Sequence, residues 1–182
     1  MKQIIFIILF IVFTIFEVYI TIQFKKKKLS NYLNETIISY LGFCLYLLIE
    51  FLCKFSVSEY ILILVMLTIF GHTFIGDFLN YYNKSKRFDR YLHAYGSFSF
   101  ALFAYFVIEK TIKPVINSNL FSALFVVTLG ISLGVIFEII EFSHDTALKT
   151  QTQRGLKDTD FDLIADVIGS AIAGIFAFCV LL

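Results

Sequence analysis

The sequence predicts an all-α integral membrane protein with six transmembrane helices and both termini outside the cytoplasm. The first observation is composition, because 59% of the 182 residues are hydrophobic and only 16% are charged. The second is a mean hydropathy of +0.84. A small aqueous core cannot bury so much apolar surface, so much of it must face lipid. The third is a series of six apolar runs of about 20 residues, the length that crosses a bilayer as a helix.

The six apolar runs are separated by short polar segments. The first run lacks the small-residue cleavage site of a signal peptide and ends in four lysines, so we predict a retained anchor. No linker or low-complexity stretch is long enough for another domain, and the prediction is a single six-helix membrane domain over residues 1–182. The predicted spans are 3–24, 34–55, 60–81, 91–109, 119–142 and 161–182.

Basic residues predict the orientation of these spans. If the four lysines lie inside, alternation places segments 25–33, 82–90 and 143–160 in the cytoplasm. Eleven of the fifteen Lys and Arg residues then lie inside, as the positive-inside rule expects. Those eleven are Lys25, Lys26, Lys27, Lys28, Lys84, Lys86, Arg87, Arg90, Lys149, Arg154 and Lys157, whereas Lys2, Lys54, Lys110 and Lys113 lie outside.

Charge and cysteine content argue against nucleic-acid binding and against a disulfide or cysteine-metal framework. The 15 basic residues nearly balance the 14 acidic ones, so nothing favours nucleic acid as a partner. The lipid bilayer is the partner that the composition implies. Cys44, Cys53 and Cys179 are odd in number and lie in apolar runs, so we interpret them as small buried hydrophobic residues rather than a disulfide or metal framework.

Polar residues gather at one predicted depth of the membrane. Nine of the 14 acidic residues and two of the three histidines lie near the cytoplasmic ends of spans three to six. Ionisable groups are costly in a membrane and usually face a bundle interior or an aqueous cavity, where they are functional. The alternative is ordinary solvated loop charge. The group comprises Asp77, Asp89, Glu138, Glu141, Asp145, Asp158, Asp160, Asp162, Asp166, His93 and His144.

Spacing of four residues predicts which helix faces meet, because such residues form nearly continuous ridges. Small residues on these ridges let membrane helices approach closely. We therefore expect spans five and six to pack antiparallel, with their glycine-rich halves together at one depth and their carboxylates together at the other. The two ridges are Gly130, Gly134 and Glu138 in span five, and Asp162, Asp166, Ser170 and Gly174 in span six.

Converging carboxylates need a metal, a proton or a basic partner, because they cannot all stay ionised and unpaired in poor solvent. Asp89 lies four residues before His93, where it can orient the imidazole. Histidine with carboxylates suits Zn, Mn or Fe, whereas carboxylates alone favour Mg or Ca. No spacing forms a specific metal signature. The candidate catalytic residues are His93, Asp89, Glu138, Glu141, Asp162 and Asp166, and the candidate ligands of a divalent metal are His93, Glu138, Asp162 and Asp166.

Several polar residues also have structural interpretations. Arg90, Arg154 and Lys157 could form an ion-pair network with the acids. Thr159 and Asp162 have the spacing of a capping box at the start of span six. His72 and Asp77 are about 140° apart on an ideal α-helix and need not address one site. The tyrosines at 81, 82, 91 and 95 are typical of an interfacial belt.

Residues 71–174 resemble the YjdF-like family of inner-membrane proteins, whose biochemical role is unknown. More distantly, the order of Asp89, His93, Glu138, Arg154, Asp162 and Gly169 is similar to that of VanZ-like proteins, although Glu141 and Asp166 stand where that group usually has Gln and Asn. The resemblance implies a shared membrane scaffold rather than a known reaction. Its elements are Gly71-His72 with Gly76, Phe88-Asp89-Arg90-Tyr91-Leu92-His93, Phe137-Glu138-Ile139-Ile140-Glu141-Phe142, and Gln153-Arg154-Gly155-Leu156-Lys157-Asp158-Thr159-Asp160-Phe161-Asp162.

Three functions fit the sequence. The first is a metal-assisted enzyme that acts on a lipid or lipid-linked head group at the cytoplasmic face. The second is a proton- or cation-coupled transporter, although neither inverted repeats nor a polar path through the outer half is evident. The third is a non-catalytic scaffold with a structural ion-pair network. Confinement of the polar residues to one interface favours the enzyme. The sequence does not determine the oligomeric state.

Overall fold

The computed structural model describes residues 2–85, 87–150 and 152–181, with the side chains of residues 2 and 3 left aside. Lys86, which the orientation argument counts inside, and Leu182, the end of the predicted sixth span, lie outside these residues. The described chain is helical throughout its elements. These are α1 (Lys2–Lys27), α2 (Ser30–Cys53), α3 (Glu59–Phe70) continued by a π-helical segment (Gly71–Phe78), the short α4 (Tyr81–Lys84), α5 (Phe88–Ile112), α6 (Asn119–Leu148), and α7 (Leu156–Phe176) continued by a second π-helical segment (Ala177–Leu181).

Six of these helices are long and apolar enough to cross a membrane. Their outer faces carry large apolar side chains, such as Phe51 with 79% of its surface exposed and Ile38 with 70%. Such exposure is typical of helices that face lipid. The predicted all-α, six-span membrane fold is therefore confirmed, whereas the side on which each terminus lies stays a prediction.

The sixth span begins earlier than predicted. Helix α7 starts at Leu156, after Gly155 at φ 103°. Thr159 and Asp162 therefore lie inside the helix rather than at its N-cap, and the predicted capping box is wrong. Asp158 does lie in the first turn, where the helix dipole favours a negative charge. The early start brings Asp158 onto the same helix as Asp162 and Asp166.

Two of the three cysteines also differ from prediction. All three are free, but Cys53 and Cys179 are exposed and Cys44 is only half-buried. The prediction assumed that an apolar run is buried in protein. In a membrane helix, an apolar side chain can face lipid instead, so hydrophobicity does not indicate burial.

The chain divides into two compact units, Met1–Phe88 and Asp89–Leu182. In the first unit, α1 packs against α2 and α3, and the buried side chains include Phe13, Ile20, Phe24 and Ile61. This unit also buries Glu17, whose Oε1 accepts a hydrogen bond of 2.8 Å from the Thr73 hydroxyl. A carboxylate within an apolar span is costly unless it is hydrogen-bonded.

In the second unit, small residues set the spacing of α5, α6 and α7. A Cβ added at Gly130 would collide with Ser170, one at Gly174 with Ala123 and Val127, and one at Gly169 with the Ala94 carbonyl. The order of these contacts shows that α6 and α7 run antiparallel, as the ridges predict. The predicted pairing of Gly130 with Ser170 is present, whereas Gly134 faces Asp166.

Candidate metal centre

Three helices of the second unit bring one histidine and two carboxylates together. His93 comes from the first turns of α5, Glu138 from the later part of α6 and Asp162 from the start of α7. All three residues are buried, with 8%, 5% and 4% of their surfaces exposed. Each offers a ligand atom, and the three atoms lie within 4.8 Å of one another. This is a compact, buried group with the composition of a metal-binding site.

The two nitrogens of His93 face different partners. Nδ1 lies 3.3 Å from Asp166 Oδ1 and 3.4 Å from Oδ2. Nε2 lies 3.7 Å from Glu138 Oε1 and 3.9 Å from Asp89 Oδ1. A carboxylate beside Nδ1 favours the tautomer that carries the proton there, which leaves the Nε2 lone pair directed toward the other two acids.

Two carboxylate oxygens of this group have no hydrogen-bond partner in the described part of the chain. They are Glu138 Oε1 and Asp162 Oδ1, and both are buried. The distances from His93 Nε2 to Glu138 and Asp89 are too long for hydrogen bonds. Buried acceptors without donors are rare in folded proteins because each costs free energy. Both oxygens belong to residues of one compact group, and Glu138 Oε1 lies 3.7 Å from His93 Nε2.

Asp166 is itself held by the surrounding helices. The Ser97 hydroxyl donates a hydrogen bond of 2.5 Å to Asp166 Oδ1. On the other side the carboxylate packs against Gly134, where any side chain would collide with it. Ser97 lies four residues after His93, so both residues occupy one face of α5. The role of Ser97 was not predicted, although its four-residue spacing from His93 was a signal for it.

The loop between α6 and α7 reaches back to the group. Gln153 donates from Nε2 to the Glu138 backbone carbonyl at 2.9 Å and to Glu138 Oε2 at 2.8 Å. Asp145 holds the loop by accepting hydrogen bonds from Thr150, Thr152 and the Gln153 backbone. Glu138 is thereby oriented with Oε2 bound and Oε1 left toward His93. The contact of Gln153 with Glu138 was not predicted, because no spacing rule connects the two residues.

A second set of acids adjoins this group. Asp89, Asp158 and Asp162 also bring one ligand atom each within 4.8 Å. The side chains of Asp89 and Asp158 are each 13% exposed, more than that of Glu138. Arg90 lies beside Asp158 with Nη2 3.9 Å from Oδ1, and its guanidinium stacks 4.0 Å from the Phe161 ring.

The other predicted members lie at the edge of these groups or away from them. Glu141 is half-buried on α6, three residues after Glu138. His144 contacts Thr150 at 3.1 Å, and Asp145 binds the loop. Arg154 and Lys157 are exposed. Within the described part of the chain, Arg90 is the member of the proposed ion-pair network that forms an ion pair with these acids.

The first unit holds a histidine group of its own. His72 Nε2 lies 3.7 Å from Asp77 Oδ2, and Nδ1 lies 2.6 Å from the Tyr82 hydroxyl. An ideal α-helix would place His72 and Asp77 about 140° apart, but they are neighbours here because residues 71–78 form a π-helix. In a π-helix, residues five apart are hydrogen-bonded neighbours. Glu35 completes this group, and Tyr82 contacts His72 rather than serving only an interfacial belt.

A family model described as "Predicted membrane protein (DUF2238)" matches residues 3–181, almost the whole chain. The chain belongs to this family. The resemblance to YjdF-like proteins is consistent with it. The family description is that of a membrane protein, in agreement with the six apolar helices of this chain's described part.

One curated relative of this chain is an uncharacterized protein from Thermotoga maritima, 40% identical over 106 residues. The match covers 56% of this chain and 53% of the relative, so it spans about half the length of each. No solved structure matches the chain. These comparisons establish the family and the membrane location.

Proposed function

We propose that this protein is a metal-dependent membrane enzyme that acts on a lipid or lipid-linked head group. His93, Glu138 and Asp162 bind a divalent metal in this proposal. The observation that carries it is that these three residues form one compact group of ligand atoms, in which Glu138 Oε1 and Asp162 Oδ1 have no hydrogen-bond partner in the described part of the chain. All three residues are buried, so water cannot readily replace the missing hydrogen bonds of these oxygens.

The spacing of the ligand atoms supports a metal. Two ligands that each lie about 2.1 Å from a metal are about 3.0 Å apart at a right angle and about 3.4 Å apart at a tetrahedral angle. His93 Nε2 and Glu138 Oε1 are 3.7 Å apart, so small side-chain rotations bring them to these separations. One imidazole with two carboxylates suits Mn, Fe or Zn.

Asp166 has a different role in this proposal. It was predicted as a metal ligand, but its carboxylate lies on the Nδ1 side of His93 and accepts a hydrogen bond from Ser97. A carboxylate in this position orients a metal-binding histidine and raises its basicity. Asp166 is therefore a positioning residue.

A divalent metal in such a site polarises a phosphoryl or carbonyl oxygen, or lowers the pKa of a bound water so that it becomes a nucleophile. We assign proton transfer to Glu141, because it is a half-buried carboxylate one turn after Glu138 on α6. Asp89 Oδ1 lies 3.9 Å from His93 Nε2. In this proposal its carboxylate binds the metal or offsets positive charge beside it.

The surroundings of the group support a lipid-linked substrate. The Phe137 ring packs edge-on against His93 with centroids 5.6 Å apart, and Phe137 is 46% exposed. An exposed apolar ring on a membrane span faces acyl or prenyl chains. A head group at the histidine would therefore have its hydrocarbon tail beside an apolar surface.

Metal analysis of the purified full chain tests the proposal. Glu138→Gln keeps the shape but removes the charged ligand, and Glu109→Gln is the matched control, because Glu109 lies on α5 with a 40% exposed side chain beside Lys110. We expect wild type and Glu109→Gln to retain metal after dialysis and Glu138→Gln to lose it. After substitution with cobalt, we expect visible absorption bands from wild type and none from Glu138→Gln.

Two results would overturn the proposal. If wild type and Glu138→Gln bind no metal above the level of empty detergent micelles, the group is a structural network. If the metal binds but radioactive Mn²⁺ crosses proteoliposome membranes, and no head group is released from vesicles of phospholipid and polyprenyl diphosphate, the protein is a transporter.

A further inference from the structure

The geometry points to a dinuclear centre in which the Asp162 carboxylate bridges two divalent metals. This inference rests on the proposed metal site and extends it. Asp162 belongs to both groups of ligand atoms, the inner one with His93 and Glu138 and the outer one with Asp89 and Asp158. A carboxylate has two oxygens and can bind one metal with each, as it does in two-metal sites with ions about 3.5–4 Å apart.

Asp162 is a buried acid with an unpartnered oxygen, which distinguishes this site from an ordinary cluster of acids. The residue is 4% exposed, and its Oδ1 has no hydrogen-bond partner in the described part of the chain. It is also the residue that the two groups share. A buried carboxylate oxygen without a donor favours a positively charged ligand, and membership of both groups allows this carboxylate to serve two ions.

The two groups are also continuous with one another. Asp89 Oδ1, from the outer group, lies 3.9 Å from His93 Nε2, from the inner group. Asp89 and His93 are four residues apart on α5, and Asp158 and Asp162 are four apart on α7. Each pair therefore lies along one helix face. Helix α5 supplies one ligand to each metal, whereas α7 supplies Asp162 to both metals and Asp158 to the outer one.

Charge supports a second ion. The two groups contain four carboxylates, Glu138, Asp89, Asp158 and Asp162, which carry four negative charges when ionised. One divalent metal neutralises half of them. Arg90 lies near Asp158 at 3.9 Å, beyond hydrogen-bond distance. A second divalent metal would neutralise the remainder in a poorly solvated place.

The two positions differ in chemistry. The inner position has a histidine, whereas the outer position has only carboxylates. The inner residues are buried, and the Asp89 and Asp158 side chains of the outer position are each 13% exposed. Carboxylate-only sites suit Mg or Mn, and mixed sites suit Mn, Fe or Zn. Mn²⁺ fits both positions, so it is the appropriate probe for the pair.

Mn²⁺ titration of the full chain in detergent, followed by electron paramagnetic resonance, tests the inference. We expect wild type to bind two Mn²⁺ per chain and to show the spectrum of an exchange-coupled pair. Asp158→Asn should bind one and show an uncoupled spectrum. Asp160→Asn removes the same charge from an exposed position on the same helix turn, and it should keep two coupled ions.

Arg90→Gln separates this inference from a purely structural role of Asp158. If Asp158 only pairs with Arg90, wild type binds one Mn²⁺ and neither Asp158→Asn nor Arg90→Gln changes that number. This result overturns the dinuclear centre but leaves the single-metal proposal standing. No bound Mn²⁺ in wild type overturns both. Two uncoupled ions in wild type also contradict a bridging Asp162.

Discussion

The two compact units contain the same kinds of polar side chain but use them differently. Each buries a carboxylate against a hydroxyl, Glu17 with Thr73 in the first unit and Asp166 with Ser97 in the second. Each also holds a histidine near acids. In the first unit, His72 is already 2.6 Å from the Tyr82 hydroxyl. In the second unit, His93 has one nitrogen beside Asp166 and the other beside acids it does not hydrogen-bond.

This difference shows that residue type alone does not define a candidate site. Glu17 also has an oxygen without a hydrogen-bond partner, but it belongs to none of the groups of ligand atoms found among the described residues. Glu138 and Asp162 each have such an oxygen, and both residues belong to one group with His93. Several unsatisfied atoms that converge can share one ligand, whereas an isolated atom has none to share.

The largest expected effect separates the two histidines. His93→Gln should abolish metal binding, with a loss greater than the roughly 10- to 100-fold cost of removing an outer-shell partner. His72→Gln removes the equivalent ring from the first unit and should leave the bound metal unchanged. Equilibrium dialysis with Mn²⁺ measures both. Equal losses in the two variants would contradict the contrast between the units.

Asp166→Asn tests how the second unit orients its histidine. The amide keeps the shape beside Gly134 but loses the negative charge next to His93 Nδ1. We expect metal affinity to fall about 10- to 100-fold, as for other outer-shell changes. The number of metals per chain should stay the same at saturation. A loss of stoichiometry instead would make Asp166 a ligand.

Gly169→Ala tests the close packing that brings the second unit's acids together. The added Cβ would meet the Ala94 backbone carbonyl, which cannot rotate away, so α5 and α7 must separate. Overpacking of this kind costs about 1–3 kcal/mol, and metal binding should weaken with it. Gly42→Ala is the control, because nothing lies within 4 Å of its added Cβ.

Thermal unfolding in detergent measures the stability of this pair. Gly42→Ala should unfold at the wild-type temperature or slightly above it, since alanine favours helix by up to about 1 kcal/mol. Wild-type stability in Gly169→Ala would mean that α5 and α7 are not in backbone contact.

The smallest effect is expected at the buried acid of the first unit. Glu17→Gln keeps an oxygen that accepts from Thr73, so unfolding stability should change by no more than about 1 kcal/mol. Thr73→Val removes the donor and should cost about 1–3 kcal/mol, because the carboxylate is left without a partner. Loss of bound metal in Glu17→Gln would show that the first unit takes part in the site.

Much of the membrane fold could be predicted from local sequence. Length and hydropathy of each run determine whether it can span a bilayer, so all six spans were found, although α7 begins five residues before its predicted start at 161. Four-residue spacing correctly predicted the contact of Gly130 with Ser170, because helix geometry places such residues on one face, whereas Gly134 faces Asp166 and Gly174 faces Val127 and Ala123.

Tertiary structure alone decided which atoms converge. The spacing grouped Glu138, Asp162 and Asp166 together, but the position of α5 placed Asp166 on the Nδ1 side of His93 and the other two acids within 4.8 Å as a group. The π-helix brought His72 to Asp77, and a loop fold brought Gln153 to Glu138. Sequence patterns determine the face on which a residue lies. The partner of each oxygen depends on helix register and side-chain rotamers, which only the packed structure specifies.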